Sequence, residues 1–417
     1  MRFRYIWSSI CLLLLISGLY KPFINGYSAS VPDLTILALA AFFVCAVILH
    51  KNFILRLRIY GRNHLTVILL FGLFAGSMTV SSIYSPSDSY VYEKLALLWL
   101  LLIYYLSVVV LEPSEIAWVI RVGAIFVLIA GTMYIGISRD LTLNRNEFDN
   151  VDPLLSLYLI VAHFAGLFLL FLISDISRLR SINSVLLISL FACFLLILGG
   201  RGPLIAVVLS MLIFWFNKLV TLRAESALPM RRVLMFSAVL VIALLALYVS
   251  SFFSENTRFL IERSSERFLA FNNVEHTTSF VERLDHISFI LDYADSSIVK
   301  LLFGAGLGSY GKLWVGLDGP AHPHNIILEV FFEAGIVGTA FLMVLLSYIG
   351  LKVWRKFGGA GGAIWFFLIF NALKSSSLVE HRVLFMSFAM LVGAASWYVS
   401  VPVNSRVVAS YRGRHCA

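Results

Sequence analysis

The chain has 417 residues, of which 60% are hydrophobic and only 13% are Asp, Glu, Lys or Arg, with a formal charge of +9 and a mean hydropathy of +0.91. Soluble domains carry about 25% charged and 45–50% apolar residues, and their cores could not hide this much apolar surface. The composition therefore excludes a disordered chain, a secreted disulfide scaffold and a DNA-binding domain, and it predicts an all-α polytopic membrane protein. Cys11, Cys45 and Cys193 lie in apolar runs and Cys416 at the C-terminus, with no Cys-x-x-Cys pair. That pattern points to neither redox chemistry nor a zinc site.

Apolar runs able to cross about 30 Å of hydrocarbon as helices fall near 5–20, 33–49, 65–83, 94–111, 116–137, 154–174, 184–199, 202–217, 233–252, 325–350, 362–377 and 383–401. The first has the shape of a signal peptide, but Lys21-Pro22 and Asn25-Gly26 separate it from the small residues at Ser28-Ala29-Ser30, so it reads as an uncleaved span. Gly199-Gly200-Arg201-Gly202-Pro203 divides the seventh run from the eighth, since Pro suits the first turn of a new helix. Lys and Arg concentrate in alternate connections, eighteen on one side against seven in the short connections of the other. By the positive-inside rule both termini are cytoplasmic. The predicted layout is spans one to nine over 1–252, an outer loop over 253–324, spans ten to twelve over 325–401 and a cytoplasmic tail over 402–417.

The 72-residue outer loop is far longer than a connection requires. Ser279-Phe280-Val281-Glu282 is a capping-box pattern, and Val281, Leu284, Ile287 and Leu291 follow at helical spacing. This predicts a short amphipathic helix lying on the membrane surface, with Arg283, Asp285, His286 and Asp292 among its polar positions. Gly304-Ala305-Gly306-Leu307-Gly308 is not a nucleotide loop, because no Gly-Lys-Ser/Thr follows it, and reads as a turn or re-entrant segment.

Arg201 falls where the next helix begins, so guanidinium and helix N-terminus form a candidate anion site at membrane level; the alternative is an arginine that only snorkels. Spacing alone does not select Arg283 from the six Lys and Arg of the loop, which also holds nine Asp and Glu and is acidic overall. His322-Pro323-His324-Asn325 is the densest constellation. On the helix that follows, Asn325, Glu329 and Glu333 share a face by i, i+4, i+8 spacing, predicted to line a polar cavity that binds substrate or satisfies the arginines, with a structural role for Glu333 as the equal alternative. Gly335 and Thr339 occupy another face, predicted to pack closely against a second helix. His163 reads as a core histidine, and Lys374, Glu380, His381 and Arg382 as paired charges at a helix hairpin.

On these residues the chain resembles the O-antigen ligase and polymerase superfamily of bacterial envelope glycosyltransferases. Its motif, His, then Asn, Ser or Gln, nine residues, Gly, two residues, Gly, Thr, is matched by His324, Asn325, Gly335, Gly338 and Thr339. Arg201 and Arg283 resemble the arginines that this family carries in a short outer turn and in a loop helix. The resemblance implies a GT-C-like fold of about twelve spans in the bacterial inner membrane, with its active site facing the periplasm. It implies transfer of a glycan from undecaprenyl diphosphate to a sugar hydroxyl, inverting and with no metal or other cofactor. The partners would be the lipid-linked donor, a lipid A–core or growing-glycan acceptor and the bilayer, with no nucleic acid. His324 would be catalytic, Arg201 and Arg283 would bind the diphosphate, and Asn325, Glu329 and His322 would support them, with Gly335, Gly338 and Thr339 in helix packing. Ligase action on lipid A–core is preferred; a polymerase of O-antigen or exopolysaccharide is the alternative, since His-Pro-His-Asn suits it equally. A transporter or flippase is the more distant alternative, because the break near 199–203 has no mate elsewhere in the chain.

Overall fold

The computed structural model describes residues 4–25, 34–62, 64–143, 153–174, 182–198, 200–221, 278–375 and 377–400, besides three single positions between 255 and 262. The apolar run at 233–252 and the tail at 402–417 lie outside these residues. The described residues form helices and their connections, without strands. In chain order the helices are α1 (Arg4–Asn25), α2 (Leu34–Ile48), α3 (His50–Gly61), α4 (Leu65–Ser82), α5 (Tyr90–Val109), α6 (Pro113–Leu143), α7 (Pro153–Ser174), α8 (Ile182–Ile197) and α9 (Arg201–Thr221). The outer loop supplies α10 (Thr278–Asp295), α11 (Ile298–Phe303) and α12 (Ser309–Trp314); then come α13 (Ile326–Phe357), α14 (Gly359–Ser375), a 3-10 turn at Leu378–Glu380 and α15 (Arg382–Ser400).

Five of these helices, α4, α5, α6, α7 and α13, are long and apolar enough to cross a membrane, and α2 with α3 would make a sixth as one bent span. Shorter apolar stretches lie in α1, α8, α9, α14 and α15. The break expected near 199–203 is present, with α8 ending at Ile197 and α9 opening at Arg201. The segment after the second run is not a loop but α3, bent 97° from α2. Side by side, α13 packs on α4 and α14, α14 on α7 and α9, and α15 on α5.

The polar face of α13 is closed rather than open. Glu329 and Glu333 are fully buried, and both accept hydrogen bonds from the Lys94 ammonium of α5, the second at 2.6 Å. Glu329 also accepts from the Ser377 hydroxyl at 2.8 Å and the Leu378 N–H at 2.7 Å, in the turn between α14 and α15. The Gly308 N–H of the outer loop reaches Glu333 at 3.0 Å. The expectation of an open polar cavity or of arginine partners is thus corrected, and the structural role left open for Glu333 is the one observed: a lysine at the rim of its apolar run pairs with both carboxylates inside the protein.

Gly335 does pack closely on another helix, α11, but at a point where α13 itself is broken. Its φ of +61° breaks α13, a conformation that side chains disfavour. A Cβ there would fall 2.3 Å from the Leu302 carbonyl. The break frees the Phe332 and Glu333 carbonyls, which accept instead from the Ala305 and Gly306 N–H groups at 2.7 and 3.0 Å. Thr339 donates back to the Gly335 carbonyl at 2.8 Å, while a Cβ on Gly338 would approach Ser77 of α4.

The outer loop is fastened at a second point. Asp318 accepts from the Ser87 hydroxyl at 2.5 Å and the Ser89 N–H at 2.7 Å, with weaker bonds from the Asp88 and Tyr90 N–H groups. It thereby caps the positive end of α5 from more than 200 residues away. These bonds, led by the Ser87 hydroxyl, hold its carboxyl well below the usual carboxylate range. Ser85 donates to the Leu307 carbonyl at 2.7 Å, and Lys312 pairs with Asp88 at 2.5 Å.

Lys94→Met should destabilise the protein by about 3–5 kcal/mol, because two buried carboxylates lose their counter-ion. Adding Glu329→Gln and Glu333→Gln should recover most of the loss in a detergent melting curve, and no recovery would mean that the charge balance is not the cause. Asp318→Ala should leave the spans intact but release the loop, seen as faster hydrogen exchange confined to 303–320 and the start of α5.

Candidate functional site

The histidine motif is shaped by its own sequence. Pro323 biases the residue before it, His322, to extended backbone. Asn325, extended at φ −149°, then caps α13 by accepting from the Ile327 and Leu328 N–H groups at 2.9 and 3.1 Å. Between proline and cap, His324 is forced to φ +54°, the single non-glycine residue with positive φ among the described residues. Such a conformation costs on the order of 1 kcal/mol or more and concentrates at functional sites.

Three imidazoles gather at this strained residue. The His322 ring lies 4.6 Å from His324, and His286 of α10 lies 6.2 Å away on another side. His322 donates from Nδ1 to the Pro320 carbonyl at 3.0 Å. His286 Nδ1 is 2.5 Å from the Tyr310 hydroxyl and its ring packs on Trp314. Burial pushes the Tyr310 hydroxyl above its ordinary range, so that it keeps its proton.

Burial also lowers the His324 pKa from its ordinary 6.5, and the neighbouring His322, His286 and Arg283 add to the effect against the opposing charge of Glu282. His286 is lowered chiefly by burial as well. Both are neutral bases near pH 7. Arg283 and His286 are three residues apart and share a face of α10, which turns an apolar stripe of Val281, Leu284, Ile287 and Leu291 outward. Sequence reasoning assigns His286 no site role; its spacing from Arg283 is the signal that could have found it.

Arg201 opens α9. The turn before it is pressed on α7, where a Cβ at Gly200 would meet Ala162, and Gly202 lies against the Lys374 side chain of α14. Three residues beyond Lys374, the Ser377 turn holds Glu329, so one short stretch ties the Arg201 turn to the helix of the histidine motif. The expected hairpin charges diverge: Glu380 forms a capping box with Ser377, Arg382 reaches Gly18 of α1, and His381 is buried. His163 packs on Phe367 and hydrogen-bonds Asn371.

Among the described residues, no group of three or more His, Cys, Asp or Glu side chains is arranged to hold a metal ion. The site's chemistry is that of imidazoles gathered beside a guanidinium. A polar substrate with a hydroxyl to deprotonate and an anionic leaving group fits it. No curated protein matches the chain. Residues 184–343, from α8 to midway along α13, and so including Arg201, Arg283, His286, His322 and His324, match the family model described as O-antigen ligase.

Proposed function

We propose that the chain is a glycosyltransferase of the bacterial inner membrane, of about twelve spans with a GT-C-like arrangement, that joins an O-antigen carried on undecaprenyl diphosphate to a hydroxyl of lipid A–core at the periplasmic face. The observation that carries this reading is His324, strained, partly buried and kept neutral beside Arg283, at the head of the helix that the family match includes. The acceptor hydroxyl gives its proton to His324 as its oxygen attacks the anomeric carbon. The bond from that carbon to the diphosphate oxygen breaks, its electron pair leaves with the diphosphate, and the configuration inverts. Arg283 and Arg201 offset the charge that grows on the leaving group, for which the bidentate guanidinium is suited. His322, packed ring against ring, and Asn325, as the cap, hold His324 in position. Polymerase action on the same donor is the second reading, favoured by the additional imidazole of His322 at 4.6 Å.

His324→Ala, Arg283→Ala and Arg201→Ala should each reduce transfer by about 100-fold or more in a reconstituted assay, with membrane insertion unchanged. A fully active His324→Ala enzyme would remove it from the chemistry. A base must be unprotonated to act, so a lowered His324 pKa keeps the rate up as pH falls through 6.5 and loses it only below. Arg283→Gln removes one of the charges that lower it, and the acid limb of the residual activity should move to higher pH. In a deletion strain, a ligase defect leaves core without O-antigen while lipid-linked polymer accumulates; core bearing a single repeat unit would instead identify a polymerase.

A further inference from the structure

At the end of the molecule opposite the histidines, α3 has the composition of neither a span nor a loop. Residues 50–62 hold Lys51, Arg56, Arg58 and Arg62 and no acid. The helix leaves α2 at 97°, so where α2 stands across the membrane α3 lies along its surface. Its depth is fixed by Arg56, which donates to the Val110 carbonyl at 3.1 Å and to Glu115 at 2.8 Å, with Glu112 at 3.6 Å. Val110 and Glu112 lie in the turn between α5 and α6 and Glu115 in the first turn of α6, where spans end.

With Arg56 engaged, the other three cations remain on the open side. Lys51, Arg58 and Arg62 are all exposed and stand at i, i+7 and i+11, one stripe along the helix. Ile54, Leu55 and Ile59 flank that stripe and are each more than half exposed. Water does not favour such a face. The boundary between lipid headgroups and acyl chains does, since apolar side chains dip into hydrocarbon while the long basic ones extend to phosphate. We infer that α3 is a binding site for anionic phospholipid headgroups of the cytoplasmic leaflet, with Lys51, Arg58 and Arg62 as phosphate ligands and Ile54, Leu55 and Ile59 inserted among the chains. The charge complementarity of three cations on a helix without acidic residues selects anionic over zwitterionic lipid. This site is independent of the glycosyl-transfer reading.

The test uses the full chain purified from membranes into mixed phosphatidylglycerol and phosphatidylcholine nanodiscs, with bound lipid counted by native mass spectrometry. The native protein should retain phosphatidylglycerol preferentially. Lys51→Gln/Arg58→Gln/Arg62→Gln should lower that preference about tenfold or more, whereas Lys51→Arg/Arg58→Lys/Arg62→Lys should keep it. An unchanged preference in the glutamine variant would overturn the proposal, as would displacement of the lipid by excess inorganic phosphate, which would mean that only the free anion is bound. Ile59→Trp, in an otherwise native chain, should fluoresce as a membrane-inserted indole quenched by brominated acyl chains. Emission typical of water, without quenching, would equally overturn it.

Discussion

An ammonium group inside a bundle of apolar helices must be surrounded by acceptors, and the burial of Lys94 among Glu329 and Glu333 is the constraint from which the outer half of the protein follows. Hydrogen-bonded in this way, one lysine specifies which faces of α5 and α13 meet and at what height. The same two carboxylates recruit the Ser377 turn and the Gly308 loop, so that four stretches distant in sequence share one polar knot. A buried ionic cluster is weak evidence of stability, but it is well suited to fixing register, which apolar side chains in a membrane do poorly because lipid satisfies them equally.

Around that knot the outer loop completes the helix it covers. The carbonyls released by the break at Gly335 are taken by the loop's own N–H groups, and the Asp318 cap secures its far end. The loop therefore arrives at His322 with little freedom left, and the left-handed backbone of His324 is held between Pro323 and the Asn325 cap. Rigid placement of the His324 imidazole beside a cation is what this construction achieves. The aromatic bed of Phe289, Tyr310, Trp314 and Phe332 under α10 contributes to it by packing His286 against the motif.

Among the described residues, five or six of the twelve expected spans are seen as helices long and apolar enough to cross a membrane, legible because about twenty apolar residues in a row admit few other fates. The shared face of Asn325, Glu329 and Glu333 is legible from helical periodicity, but its partner is not: Lys94 lies 235 residues from Glu329 and reads locally as a charge at a span's edge. Gly335 illustrates another limit. A glycine that permits close packing and one that permits positive φ look alike in sequence; Gly335 does both, and its positive φ shows only in the backbone. The basic segment at 51–62 reads as a connection because its charge is evident, whereas its helix, bent 97° from α2 and tied to α6 by Arg56 and Glu115, is not legible from charge alone.

The distance between Lys94 and its partners also has a temporal meaning. Chains emerge N-terminus first at about 5–20 residues per second, so roughly 10–50 s separate the synthesis of Lys94 from that of Glu329. During this interval the first spans are inserted with an ammonium that has no native counter-ion, which favours holding α5 near the aqueous rim until α13 arrives. Assembly of the outer surface is then gated by the last third of the chain, and a truncated product would expose an unneutralised cation within the bilayer for quality control to recognise.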